Sequence, residues 1–327
     1  MVKLLLLGIG RWGANHLRVL QSLPIELFVS DLNAKALEAI SVPESHKSTD
    51  PRAFLNQIDA AVVVTPAQAH FETVRELLSL DKDVFVEKPI TVTSADARVL
   101  CELAEERKRI LQVGHIFRFD PASLWLRQAI AEGKFGRLKM LRGNFSGFKR
   151  PRNDTGVTFA DSIHFVDLFN FFLGESPTRV QAVLNDFMGR GMDCQSHMSL
   201  MYNNGKHSTP IWATVESGYH IPGKFREVIV VGDELTAVCD YNVAQYKIKT
   251  YENRHYAAGN EVKAVEGAVH QLEFAPEEPL RAELMAFIDS IQTRKAPLAD
   301  GWAGYESVRV LEAALQSAQC GSWVDIK

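Results

Sequence analysis

The chain has 327 residues, 46% hydrophobic and 23% charged, the composition of a folded protein long enough for two cores. A formal net charge of −4 gives no general attraction for nucleic acid or an anionic membrane, so any anion binding is local. Four scattered cysteines, Cys101, Cys194, Cys239 and Cys320, lack CxxC or Cys/His ligand spacing, which argues against a zinc site and a disulfide framework and fits a reduced, cytoplasmic setting.

The opening apolar run, Leu4 to Leu7, is too short for a signal peptide or a membrane span, so neither is expected. Residues 3–7 read instead as a strand buried on both faces of a parallel sheet. Gly8-Ile9-Gly10-Arg11-Trp12-Gly13 follows, and residues 14–20 read as a helix. Between a strand and a helix, GxGxxG is the pattern that cradles a pyrophosphate: small residues let the backbone approach, and the helix N-terminus offers N–H groups and a partial positive charge. A second strand, 26–30, ends at Asp31, 18 residues beyond Gly13 and near the spacing at which a carboxylate accepts hydrogen bonds from the adenosine ribose hydroxyls. Asp31 is equally placed to cap a helix over 33–40. No arginine follows in Leu32-Asn33-Ala34 to receive a 2′-phosphate, which favours NAD over NADP.

Asp50-Pro51 starts a short helix with a cap and an N1 proline, and residues 60–65 form a buried strand ending at Thr65-Pro66, before a helix containing His70. The apolar run Val84-Phe85-Val86 then closes on Glu87-Lys88-Pro89, which puts a lysine at the carboxyl end of the fifth strand, where open α/β sheets bind ligands. A lysine there is either a surface group at a strand end or a proton-transfer group, because its pKa drops readily on partial burial or beside another cation. A helix over 93–107 with Ser94 as cap and a sixth strand over 110–115 complete an alternation that calls for a doubly wound parallel sheet.

From Arg137 longer, partly alternating segments appear, at 138–145, 179–188, 197–202, 210–218, 227–231, 236–241 and 245–251, as expected of a sheet with one covered face. Among them lies a mostly apolar helix, 161–169, in which Asp161 and His164 are three apart and so share a face. The pair is either an active-site element or a core histidine bonded to a carboxylate. Just before it, Lys149, Arg150 and Arg152 form a basic loop that either holds an anionic substrate group or is solvated surface. Residues 278–294 and 304–318 read as amphipathic helices covering the first core, whereas 253–271 is open between a hairpin and a subunit contact.

The glycine loop with Asn15-His16, Thr65-Pro66 with His70, Glu87-Lys88-Pro89, and Gly114-His115 with Arg118-Phe119-Asp120-Pro121 together resemble the Gfo/Idh/MocA family of oxidoreductases. The resemblance covers nearly the whole chain. It implies an NAD-binding Rossmann domain, about 1–120, followed by an α+β domain, about 121–327, whose open, mainly antiparallel sheet joins subunits into a homodimer or homotetramer. It also implies that Lys88 moves the proton while NAD takes the hydride from a sugar-like substrate, that Pro89 is cis, and that no metal takes part.

Cofactor contacts are implied for Gly8, Gly10, Arg11, Trp12, Gly13, Asp31, Thr65, Pro66, His70, Glu87, Lys88, His115 and Arg118. Substrate contacts are implied for Lys88, His115, Lys149, Arg150, Arg152, Asp161 and His164. The family histidine that works beside the lysine is matched by His164, but its aspartate four residues earlier is not: Ala160 stands there, and the acid is displaced to Asp161. The implied activity is oxidation of a secondary hydroxyl of a sugar, cyclitol or sugar nucleotide. Alternatives are an NAD-dependent glycoside hydrolase of the same fold and a non-catalytic NAD-binding regulator, the second disfavoured by retention of both Lys88 and His164.

Overall fold

The computed structural model describes residues 1–206 and 208–326. They divide into two compact units, residues 1–119 with 278–308, and residues 120–277 with 309–326.

The first unit opens with β1 (Lys3–Leu7), α1 (Gly13–Leu20), β2 (Glu26–Ser30), α2 (Ala34–Glu38) and β3 (Lys47–Ser48). It continues through β4 (Ala60–Val63), α3 (His70–Ser79), β5 (Asp83–Glu87), α4 (Ser94–Glu106) and β6 (Leu111–Gly114). All ladders are parallel and the strand order is β3-β2-β1-β4-β5-β6, the doubly wound arrangement whose direction reverses between β1 and β4. Leu4, Leu6, Val29, Val62 and Phe85 form the sheet side of the core, and Leu17 and Leu20 of α1 cover them. Two local expectations shift. The helix expected over 33–40 is only five residues long, and α4 is capped by Thr93, whose hydroxyl accepts from the Asp96 N–H at 3.2 Å, rather than by Ser94.

The second unit follows with α5 (Pro121–Ala131), β7 (Leu138–Ser146), α6 (Ile163–Leu173), β8 (Arg179–Asn185), β9 (Gln195–Tyr202) and β10 (Ile211–Gly218). Next come β11 (Glu227–Gly232), β12 (Thr236–Asp240), β13 (Ile248–Tyr251), β14 (Arg254–Ala258), β15 (Glu261–Val265) and β16 (Val269–Leu272). A nine-stranded sheet runs β16-β13-β12-β11-β7-β10-β9-β8-β17, with β17 at Val324–Asp325, and only the β7–β10 ladder is parallel. Alternation sets its two faces: Ile211, Ala213 and Val215 are buried while Trp212 and Thr214 are exposed. On the buried side Gly143 makes room for α6, since a Cβ there would stand 2.7 Å from the Phe165 ring. The open stretch 253–271 is a separate β14–β15 hairpin followed by edge strand β16.

Two helices end the chain, α7 (Pro279–Thr293) and α8 (Gly301–Cys320). Leu284, Phe287 and Ile288 of α7 join the first unit's core, each contributing about 1.5–3 kcal/mol by burial. The start of α8 is held to α4 by Trp302 Nε1 donating to Glu105 at 2.6 Å and Arg98 donating to the Tyr305 hydroxyl at 2.7 Å. Among the described residues no helix is long and apolar enough to cross a membrane, and no group of three or more His, Cys, Asp or Glu could hold a metal ion.

Candidate functional site

Each glycine of the loop after β1 has its own reason to be there. Gly8 has φ +90°, and a Cβ on it would lie 2.8 Å from the Val64 carbonyl oxygen. On Gly13 a Cβ would lie 2.1 Å from the Gly8 carbonyl oxygen, so only glycine lets α1 start this close to the strand end. Gly10 has nothing within 4 Å of its Cβ direction, so its small size leaves open space at the loop's crest. The first turn of α1 has no side-chain cap and no acidic residue, leaving its N–H groups and dipole for an anion. Arg11 and Trp12 are exposed beside it.

Asp31 is not the cap of α2; that position belongs to Asn33. One carboxylate oxygen accepts from the Ile9 N–H at 2.7 Å and the other from the Asn33 N–H at 2.8 Å, so Asp31 ties the glycine loop to the end of β2. A carboxylate has about four lone-pair sites, which leaves capacity for ribose hydroxyls.

At the end of β5 the Lys88-Pro89 bond is cis and Lys88 is half-buried. Glu87 is buried; its Oε1 accepts from Trp12 Nε1 at 2.7 Å and lies 2.8 Å from His16 Nε2. Burial pushes this carboxyl up, but the hydrogen bonds from His16 and Trp12 and the charges of His16 and Lys88 outweigh it and hold it below the usual carboxylate range. His70, expected among the cofactor residues, is 1% exposed and has its ring nitrogens 2.7 Å from the Pro89 carbonyl and 2.9 Å from the Thr65 carbonyl. Its ring therefore holds the loops after β4 and β5 together; a protonated ring donates to both carbonyls, a neutral one to one. His115 and Arg118 are also buried, and Arg118 donates to the Leu298 carbonyl at 2.8 Å.

In the second unit the turn before α6 is π-helical, Thr158–Ser162; Asp161 lies inside it, and His164 is the second residue of α6. Asp161 is buried and forms an ion pair with Lys149 at 2.7 Å. Arg152 is held by Asp154 through two hydrogen bonds of 2.8 and 2.6 Å, while Arg150 is exposed. Two of the three loop cations are thus internally neutralised.

The sequence reading missed Phe145, Tyr219 and Arg226. The Phe145 ring stacks on His164 with centroids 4.9 Å apart and 25° between planes, and the Arg226 guanidinium carbon lies 3.5 Å from the same ring's centroid. The Lys149 ammonium is 5.4 Å from the Tyr219 ring centroid. Burial lowers the Arg226 pKa and the charge of Asp161 partly restores it; one of its amino groups donates to the Ser146 carbonyl at 3.0 Å and to the Phe225 carbonyl. Aromatic faces, an imidazole and two cations against one carboxylate can bind a sugar-like molecule that carries an anionic group.

A model of an oxidoreductase family with an NAD-binding Rossmann fold matches residues 2–115, and the model of that family's C-terminal α/β domain matches residues 127–326. The chain belongs to the Gfo/Idh/MocA oxidoreductase family. Among its Gfo/Idh/MocA relatives, a UDP-N-acetylglucosamine 3-dehydrogenase of Acidithiobacillus ferrooxidans is 28% identical, over 95% of this chain and 94% of that one. An inositol 2-dehydrogenase of Saccharopolyspora erythraea is 25% identical, over 98% of this chain and 94% of that one. A levoglucosan dehydrogenase solved with NADH and levoglucosan has the same fold, with a TM-score of 0.82 over 99% of each chain at 17% identity.

Proposed function

We propose that this protein is an NAD-dependent dehydrogenase that oxidises a secondary hydroxyl of a sugar, cyclitol or sugar nucleotide, with Lys88 as general acid/base. The observation that carries the reading is the placement of a half-buried lysine at the carboxyl end of β5, in the sheet whose β1–α1 turn has the three-glycine geometry of a pyrophosphate cradle.

Gly8, Gly10, Gly13 and the open first turn of α1 would hold the pyrophosphate, and Asp31 the adenosine ribose; NAD, when bound, accepts the hydride from the carbinol carbon. Lys88, in its neutral form, would take the hydroxyl proton of the alcohol during oxidation and return it in the reverse direction. His164 is the second proton-handling group, and Lys149, Arg150 and Arg226 recognise an anionic part of the substrate. NAD is preferred over NADP because the carboxylate at Asp31 repels a 2′-phosphate and no arginine follows it at 32–34. The exposed sheet face joins subunits: Val231, Met140, Trp212, Met201 and Arg179 are register partners in a row across five strands, and none of them is buried.

The test is NADH formation at ~340 nm, the absorbance of the reduced nicotinamide ring of the cofactor, by wild type and Lys88→Ala, with NAD and a panel of free sugars, inositols, sugar acids and UDP-sugars. The expected result is a signal that falls by about 10²-fold or more in Lys88→Ala while NADH affinity is kept. A signal only with UDP-sugars gives Lys149, Arg150 and Arg226 their purpose; a signal with free polyols makes that cluster ordinary surface. Equal turnover by Lys88→Ala refutes the lysine's role, and silence across the panel with NADH still binding favours the hydrolase or regulatory alternatives.

A further inference from the structure

The residue before the lysine is more unusual than the lysine itself. Glu87 lies in β5 directly after Phe85 and Val86, both fully buried, and is itself only 7% exposed. A buried carboxylate is costly unless its oxygens are matched, and a buried ion pair can often be replaced by well-packed apolar residues without loss of stability. Core packing alone therefore gives no reason for an acid here.

Its partners give one. Trp12 and His16 are four apart at the start of α1 and both reach Oε1, at 2.7 and 2.8 Å. The other oxygen accepts from the backbone N–H of Lys88 at 3.2 Å. The His16 ring is fully buried, edge-on to Phe85 at 5.5 Å and to Trp12 at 6.0 Å, so the donors are held by packing as well as by hydrogen bonds. Across the β5–β6 ladder Glu87 is paired with Gly114, where a Cβ would stand 2.9 Å from the carboxyl carbon and 3.0 Å from each oxygen. Only a glycine at that register leaves room for the carboxylate. Donors from the glycine loop, an N–H of the lysine peptide and a vacated ladder position thus converge on one side chain.

We infer that Glu87 is a positioning residue that latches the cofactor loop to the peptide of Lys88, so that seating a dinucleotide on the loop and aiming the lysine are one adjustment. The role of the lysine rests on the dehydrogenase reading; the latch rests on the geometry of the first unit. Trp12 is the next-to-last residue of the loop, and fixing its indole fixes the peptides that precede α1.

The experiment is a double-mutant cycle of Glu87→Gln and Trp12→Phe in the full chain, read as NADH Kd by nicotinamide fluorescence, as Tm, and as kcat at saturating NAD. Glu87→Gln should weaken NADH binding roughly tenfold, the low end for a lost charged hydrogen bond, with Tm within a few degrees of wild type. Trp12→Phe, at a half-exposed position that tolerates change, should weaken it comparably, and the double variant should be no worse than either alone. With an oxidisable substrate, kcat at saturation should fall in both single variants although Lys88 is intact. Additive effects on Kd, or a lowered Tm with unchanged Kd, would overturn the latch, and kcat unchanged at saturation would overturn its reach to the lysine. If Glu87→Gln does not fold, Gly114→Ala takes its place in the cycle. If no alcohol is oxidised the dehydrogenase reading fails by itself, and the Kd cycle still decides whether Glu87 holds the loop.

Discussion

Replacing Gly13 and Gly10 by alanine, one at a time, separates the glycine that packs the fold from the glycine that serves a ligand. At Gly13 the new methyl would sit 2.1 Å from the Gly8 carbonyl oxygen, about 1.3 Å short of the 3.4 Å at which ordinary contact begins, and its neighbour is backbone with no rotamer to yield. Overpacking of this kind costs about 3 kcal/mol, the top of the usual range. Alanine's helix propensity returns up to about 1 kcal/mol at the first residue of α1, leaving a net loss of about 2 kcal/mol. In a unit the size of the first, residues 1–119 with 278–308, that is a fall in Tm of roughly 4–8 °C. Moving the helix start by about 1 Å also disturbs the cradle, so NADH affinity should fall by roughly tenfold, about 1.4 kcal/mol. At Gly10 the methyl enters open space, so Tm should stay within about 0.5 kcal/mol equivalent of wild type, yet NADH affinity should again fall at least tenfold (~1.4 kcal/mol) because the crest of the loop is where a pyrophosphate approaches. Differential scanning fluorimetry and NADH titration read both quantities. Wild-type affinity in Gly10→Ala would refute the cradle, and wild-type Tm in Gly13→Ala would refute the packing argument.

Asp31→Ala removes the acceptor for the Ile9 and Asn33 N–H groups, and should weaken NAD binding and relax discrimination against NADP; an unchanged NAD/NADP ratio of kcat/KM would confine Asp31 to holding the loop and turn. Trp212→Glu puts a charge in the middle of the exposed row on the nine-stranded sheet, and sedimentation should show a smaller species than wild type; unchanged mass would remove that face as the subunit contact.

The first unit was legible because its signals are local. β1, β2, β5 and β6 are short, mostly apolar runs that close on a glycine, an acid or a lysine, and β4 closes on Thr65-Pro66; only the two-residue β3, Lys47–Ser48, has too little pattern to read. Side-chain partnerships across elements were not legible. His70 follows Thr65-Pro66 closely enough in sequence to look like a cofactor residue, and only the return of the chain through Pro89 shows that its ring is bracketed by two carbonyls. Phe145 stacks on His164, Arg226 lies over Phe145 and Tyr219 faces Lys149, from segments far apart in sequence, and none stands in a motif. An arginine beside a phenylalanine, as in Phe225-Arg226, carries no signal until the sheet register places it over Phe145. The 253–271 stretch had no apolar face to read: its strands are almost wholly exposed, so the pattern that reveals a half-buried strand is missing.

Asp161, the acid three residues before His164, sits in a turn that is anchored from outside its own helix. Thr158 opens that turn held by Asp193, whose Oδ2 accepts from both its N–H and its hydroxyl at 2.8 Å, and Gly156 has no Cβ because one would lie 1.8 Å from the other Asp193 oxygen. The start of the turn is therefore anchored from outside the helix, by Asp193. Asp161, inside this π turn, forms an ion pair with the Lys149 ammonium at 2.7 Å. Such turns concentrate at functional sites, and beside this one the Phe145 ring stacks on His164 while Asp161 pairs with a cation of the basic loop, so the acid and the histidine face different partners from adjoining turns of one helical segment.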